Sequence, residues 1–198
     1  MKRLSFFILA AALFVTACSR NSFTIIGSIP QWCDDEVVNI RSFNSWDVIE
    51  TIPVSDRQFK YSGEIDSMSV LVFSPPDESV EWVNILEPGT IYLNAYSGYV
   101  SGTPLNDAII EYDKESIALQ YSMAVDEYLI AIREKSNDFI NAHINDLAGA
   151  YVLLASLSSH SDEEVQDFID RCGPDFYSSP FIRELQRKHP RLKKAGED

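Results

Sequence analysis

The chain has 198 residues, and its 16 Lys and Arg residues against 30 Asp and Glu residues give a formal net charge of −14. A chain this acidic repels the phosphate backbone of nucleic acids, which argues strongly against nucleic-acid binding. The 45% hydrophobic content excludes wholesale disorder, and the length fits one domain or two small domains packed together.

Residues 1–17 have the pattern of a lipoprotein signal peptide. Two cationic residues precede an apolar stretch at 4–15, which is shorter than the about 20 residues that a spanning helix needs. The stretch runs into Val15-Thr16-Ala17-Cys18, which resembles a lipobox. That resemblance implies cleavage before Cys18, acylation of Cys18 and a lipidated tether at 18–22. The alternative is an ordinary signal peptide in which the position of Cys18 is chance.

Residues 23–102 show the period-two alternation of short strands separated by turns. Pro75-Pro76 and Glu87-Pro88-Gly89 are the clearest breaks, because Pro fixes φ and Gly adopts positive φ readily. Seven or eight strands at this spacing predict an antiparallel β-sandwich or a curled sheet. The predicted strands lie at 23–29, 37–43, 48–54, 59–63, 70–73, 81–86 and 90–95.

The apolar pattern changes to helical spacing at Thr103. Thr103 is suited to the N-cap and Pro104 to the first helical position, which predicts one helix of about 30 residues. A second helical stretch is predicted over 137–157, with a break near Gly149. The expected fold class is therefore α+β, with a β-sandwich-like module at 23–102 followed by a helical module at 103–190.

Two further helices complete the predicted helical module. Ser161-Asp-Glu-Glu164 matches a capping box, and the helix that it starts is expected to end at Gly173-Pro174. Ser179-Pro180 precedes a last short helix through Lys188, and residues 191–198 form a polar tail.

Three cysteines are present, and Cys33 and Cys172 remain if Cys18 is acylated. Cys33 and Cys172 are candidates for a disulfide in an oxidising compartment, and two buried free thiols are the alternative. Cys172 closes a predicted helix, where the helix dipole raises the pKa of a thiol and disfavours a nucleophilic role.

No motif in the sequence predicts catalysis, a metal or a cofactor. The three histidines lack the spacing of a zinc site, and the acidic clusters lack the alternating pattern of a calcium loop. A Gly-x-Ser-x-Gly elbow and a glycine-rich phosphate loop are also missing.

The placement of aromatic residues is the most suggestive feature of the β portion. All three tryptophans fall there, and Trp32 and Trp46 lie in or beside predicted turns. Exposed rings at such positions offer flat surfaces to a sugar ring or to a partner protein. The alternative is that Trp32 and Trp46 cap the ends of the core.

Four segments in order resemble a module of unknown function found in Gram-negative envelope lipoproteins, usually ahead of a thioredoxin-like/AhpC-TSA domain. The matching segments are Phe23-Thr-Ile-Ile-Gly-Ser-Ile29, Asp56-Arg-Gln-Phe-Lys-Tyr-Ser-Gly63, Leu86-Glu-Pro-Gly-Thr-Ile91 and Val100-Ser-Gly-Thr-Pro-Leu-Asn-Asp107. The thioredoxin-like domain is missing from these 198 residues, so the thiol–disulfide activity of longer relatives is not carried over.

The lipobox and the resemblance together imply a lipid-anchored lipoprotein of the Gram-negative envelope, at the periplasmic face or in the outer membrane. We expect a non-catalytic binding or accessory module with a protein partner, for which an envelope thiol–disulfide system is the candidate. The alternative is a glycan-binding accessory lipoprotein that uses the aromatic residues of the β module. An enzyme of unrecognised type ranks last.

Overall fold

The computed structural model describes residues 21–30, 36–65 and 69–192. In them, eight strands precede six α-helices, which confirms the predicted α+β class. The strands are β1 (Ser22–Ser28), β2 (Val37–Ser42), β3 (Val48–Pro53), β4 (Gln58–Glu64), β5 (Val70–Ser74), β6 (Trp82–Ile85), β7 (Gly89–Asn94) and β8 (Tyr99–Ser101). The helices are α1 (Pro104–Ser122), α2 (Val125–Ala142), α3 (Leu147–Ala155), α4 (Asp162–Arg171), α5 (Pro174–Tyr177) and α6 (Pro180–Lys188).

The strands form two four-stranded sheets. Sheet A has the order β4-β1-β7-β8, and sheet B has the order β3-β2-β5-β6. Every pair is antiparallel except β1 and β7, which run parallel in register from Phe23 opposite Gly89 to Ser28 opposite Asn94. The parallel pair arises because the strands of sheet B lie between β1 and β7 in the chain, so β7 returns to sheet A by a crossover.

Sheet B lies between sheet A and the helices, and β5 shows this most clearly. All five residues of β5 are buried. Leu71 and Phe73 face the core between the sheets, whereas Val70 and Val72 belong to the core shared with the helices. A strand that is covered on both faces needs no polar alternation, which explains the continuous apolar run at 70–73.

A glycine in β1 accommodates an aromatic ring of the sandwich core. A Cβ atom at Gly27 would lie 2.0 Å from Cζ of Phe59 on the neighbouring β4, so only glycine leaves room for that ring. The Phe59 ring then stacks on Phe73 of sheet B, with centroids 5.6 Å apart. This contact fixes β1, β4 and β5 around one point of the core.

The helices share a core with the outer face of sheet B. Helix α3 is the central helix, and six of its nine residues are buried. Phe181 of α6 meets Phe43, just beyond β2, in an edge-to-face contact with centroids 4.9 Å apart. The helices therefore form a third packed layer over sheet B.

The single long helix predicted from Thr103 is wrong. Helix α1 ends at Ser122 and α2 begins at Val125, with Met123 and Ala124 in extended conformation between them. The two helices fold back as a hairpin, in which Tyr112 and Phe139 pack with ring centroids 5.0 Å apart. The apolar spacing continues through the turn, and no Gly or Pro marks it, so the periodicity could not reveal the reversal.

The break predicted near Gly149 occurs a few residues earlier. Helix α2 runs to Ala142, and α3 starts at Leu147 with Asp146 as its N-cap. Oδ1 of Asp146 accepts from the backbone nitrogens of Ala148 and Gly149. Gly149 lies inside α3, where a Cβ would be 2.2 Å from the carbonyl oxygen of His143. Glycine at this position therefore allows the turn before α3 to pack closely, and it does not mark the end of a helix.

The capping-box prediction for α4 is confirmed. The Ser161 hydroxyl accepts from the Glu164 backbone nitrogen, and the Glu164 carboxylate accepts from the Ser161 backbone nitrogen at 2.8 Å. Helix α6 also begins at Pro180 and ends at Lys188 as predicted. No helix in the described ranges is long and apolar enough to cross a membrane.

Candidate functional site

Three of the predicted site residues lie outside the residues that the structure describes. These are Cys18, Trp32 and Cys33. Acylation of Cys18 and pairing of Cys33 with Cys172 therefore stay predictions, as does a surface formed by Trp32 and Trp46.

Cys172 lies at the C-cap of α4 and is partly buried. Its Sγ donates to the carbonyl oxygen of Ile169 at 3.0 Å. Burial raises the pKa of the Cys172 thiol, and the nearby Asp170 carboxylate acts in the same direction. At neutral pH the sulfur is therefore held as the thiol, which is a poor nucleophile.

Trp46 lies in the turn between β2 and β3, with its backbone in the left-handed region at φ 61°. Its side chain is 38% exposed, and its ring packs on Phe43 with centroids 5.7 Å apart. Its carbonyl oxygen accepts from Nη1 of Arg41 at 3.0 Å. Trp82 on β6 is buried at 3% exposure and is a core residue.

His143 and His160 make hydrogen bonds to neighbouring groups of the helical module. His143 Nδ1 lies 2.8 Å from Oδ2 of Asp146, three residues along the chain. His160 lies between the carbonyl oxygen of Ser156 and the side chain of Asn137, each at 2.9 Å. Within the described part of the chain, no group of three His, Cys, Asp or Glu side chains is placed to hold a metal ion.

A groove between α2 and α4, with a volume of about 670 Å³, gathers several carboxylates. Glu164 pairs with Arg133, and Asp167 pairs with Arg171. The Ser161 backbone N–H and the Arg133 guanidinium lower the pKa of Glu164 to about 2. A carboxylate with so low a pKa is a poor proton donor or acceptor near neutral pH, so this groove offers no general acid–base pair at Glu164.

Two of the resembling segments meet where sheet A passes into the helices, and Asn106 is central to the contact. Its Nδ2 donates to the carbonyl oxygen of Ile85 at 2.8 Å, and its Oδ1 accepts from the Ile85 nitrogen at 3.3 Å. The buried amide thus continues the hydrogen bonding of β6 into α1. We call Glu87, Thr103 and Asn106 the sheet–helix joint.

The N-cap expected at Thr103 is only partly correct. Thr103 occupies the N-cap position, but its hydroxyl makes no bond to the helix backbone. Its Oγ1 instead accepts from Nδ2 of Asn106 at 2.7 Å. Oε2 of Glu87 accepts from the backbone nitrogens of Leu105 and Asn106. A residue of the β6–β7 turn therefore caps α1. A cap supplied from 18 residues upstream leaves no local sequence signal.

Five large apolar side chains are exposed near the turn of the α1–α2 hairpin. We call them the tip patch: Ile117, Tyr121, Val125, Leu129 and Ile130, with exposures from 46% to 85%. Tyr121 and Val125 have the i, i+4 spacing of one apolar stripe on the single long helix that the sequence predicts from Thr103. The structure places both outside the core, because the chain reverses between them.

A second candidate surface lies on the outer face of sheet A. We call it the sheet-A groove; its volume is about 480 Å³, and α1 forms one wall. Ile26 and Tyr92 lie on the sheet, exposed at 37% and 51%. Lys114 of α1 lies with its Nζ 5.5 Å from the centre of the Tyr99 ring.

Comparison with known proteins gives a family match over the β module. Residues 23–109 match the family model described as a domain of unknown function, DUF4369. No curated protein matches the chain, and no solved structure does. The matched span covers both sheets, the sheet–helix joint and the first turns of α1. Residues 23–109 therefore resemble the DUF4369 module, over less than half of the 198 residues.

Proposed function

We propose that this chain is a lipid-anchored envelope protein that acts as a non-catalytic binding module for a protein partner. The tip patch is the observation that supports the binding role. Large apolar side chains exposed in one region of a surface commonly mark an interaction site, and fully burying one such side chain is worth about 1.5–3 kcal/mol. The lipobox at Val15-Thr16-Ala17-Cys18 supports the anchor.

The charges around the tip patch define the partner that would fit it. Asp126 and Glu127 lie in the first turn of α2, next to Val125 of the patch. Two cations of α2 are already paired, since Arg133 contacts Glu164 and Lys135 contacts Glu115. The rim is therefore acidic, and it is complementary to an apolar surface surrounded by Lys and Arg.

An acidic rim also disfavours binding of the tip patch to the tip patch of a second copy of this chain, because the Asp126 and Glu127 carboxylates of the two copies would repel each other. The resemblance to modules that precede thioredoxin-like domains makes an envelope thiol–disulfide enzyme the first partner to test.

The test is a mild crosslinking pull-down of the lipidated protein from its own envelope. We expect a reproducible, stoichiometric protein with the wild type and its loss with the triple variant Tyr121→Gln, Val125→Gln, Leu129→Gln. Gln is a good helix former, so the hairpin should persist. Tyr96→Gln is the matched control, because Tyr96 is 80% exposed but lies in the β7–β8 turn. Retention of the partner by the triple variant would contradict the proposal.

The anchor has its own test. Metabolic labelling with a fatty-acid probe should mark the wild type and should not mark Cys18→Ala. Equal labelling of the two proteins would contradict acylation at Cys18.

Glycan binding is the second candidate function, and the sheet-A groove favours it. Tyr92 presents a half-exposed ring on a flat sheet face, a geometry suited to the apolar face of a sugar. This surface differs from the Trp32 and Trp46 pair that the sequence suggested.

A further inference from the structure

We infer that the sheet-A groove binds a negatively charged saccharide of the uronic-acid class. The inference rests on the second candidate function, glycan binding, and adds the charge of the ligand. It follows from a ring platform, a set of polar groups and an ammonium group that share one groove, and this ammonium has no ion-pair partner among the described residues.

The platform is the ring of Tyr92. A Cβ at Gly102 would lie 2.8 Å from Cδ2 of Tyr92, so the ring lies against backbone that only glycine leaves open. Gly102 has φ 97°, which also favours glycine. The ring is thus held against the sheet, and its exposed part extends the apolar surface of Ile26.

Polar groups surround this platform. The side chains of Gln58, Ser28 and Ser101 line the groove, and within the described residues they make no hydrogen bond. Oδ1 of Asn94 accepts from the nitrogens of Tyr96 and Ser97, which orients its amide and leaves Nδ2 to donate. Amides and hydroxyls of this kind match the hydroxyl groups of a sugar.

The charge comes from Lys114. Among the described residues, no carboxylate lies within ion-pair distance of its Nζ, and the residues that line the groove include no Asp or Glu. Lys60 adds a second cation on this face, because it lies opposite Ile26 in the β1–β4 register. In a chain of net charge −14, a carboxylate-free groove with an unpaired ammonium favours a ligand that carries a carboxylate.

The experiment measures binding of uronic-acid oligosaccharides to the full chain by calorimetry. The panel contains galacturonate, alginate and hyaluronan oligomers, and the neutral methyl ester of the galacturonate oligomer is the matched ligand. We expect binding of at least one acidic oligomer and weaker binding of its neutral counterpart. Lys114→Gln should weaken acidic binding about three- to tenfold and leave neutral binding unchanged. Tyr92→Ala should weaken both.

Lys188→Gln on α6 is the control, since it removes the same charge far along the chain from the groove. The melting temperature of each variant should stay close to that of the wild type. Equal binding of acidic and neutral oligomers overturns the charge inference and leaves glycan binding standing. Binding of no saccharide in the panel overturns both.

Discussion

At the scale of single residues, Asn106 and Glu87 connect the β module to the helices. Asn106 is 3% exposed and makes three hydrogen bonds through one amide, two of them to the backbone of Ile85. Glu87 supplies the cap that Thr103 was expected to give. Thr103 could be identified from the sequence because capping preferences are local. Glu87 could not, because only the folded chain brings it close to the first turn of α1.

Asn106→Ala should destabilise the protein by about 2–4 kcal/mol, because it leaves buried polar groups of Ile85 and Thr103 without partners. Chemical denaturation measures the change. Asn44→Ala is the matched control: Asn44 is exposed, and we expect a change within about 0.5 kcal/mol. Equal changes in the free energy of unfolding for the two substitutions would show that the sheet–helix joint contributes little to stability.

At the scale of elements, α4 starts with a complete capping box. Glu164 completes the capping box and contacts Arg133 of α2, so one carboxylate joins two helices. The pKa of Glu164 is lowered from 4.5 to about 2 by these bonds. The stabilisation by the charged form is therefore present above about pH 4.5 and is lost as pH falls towards 2.

Glu164→Gln tests this dependence, because Gln can keep the N3 contacts of a capping box but not the charge. The wild type should be more stable than the variant at pH 7, and the difference should shrink between pH 4.5 and about 2. Urea denaturation at several pH values measures it. Glu163→Gln is the control, because Glu163 is exposed and makes no ion pair in the described part of the chain. A difference that is independent of pH would contradict the assignment.

Strands, the capping box and α6 could be predicted because each has a local signal: alternation, a Ser-x-x-Glu pattern or a Pro start. The α1–α2 reversal could not, because Met123 and Ala124 carry no turn signal and the apolar spacing runs on. The tip patch was missed for the same reason. Two of its residues, Tyr121 and Val125, have the spacing of one apolar stripe on a continuous helix.

At the scale of the whole molecule, three layers share two cores. Sheet B contributes Phe73 to the sandwich core and Val72 to the core shared with the helices. The sequence predicted two modules in order along the chain, but their common core depends on contacts between distant segments, such as Phe43 with Phe181. The exposed tip patch then remains as apolar surface that neither core covers.

The most direct test of protein binding at the hairpin tip is photo-crosslinking from the tip patch in the intact envelope. A photoreactive amino acid replaces Tyr121 in one version of the lipidated protein and Tyr96 in another, since both positions are highly exposed. We expect one discrete protein adduct from position 121 and none from position 96. The same adducts from both positions, or an adduct from position 96 alone, would contradict a protein-binding surface at the hairpin tip.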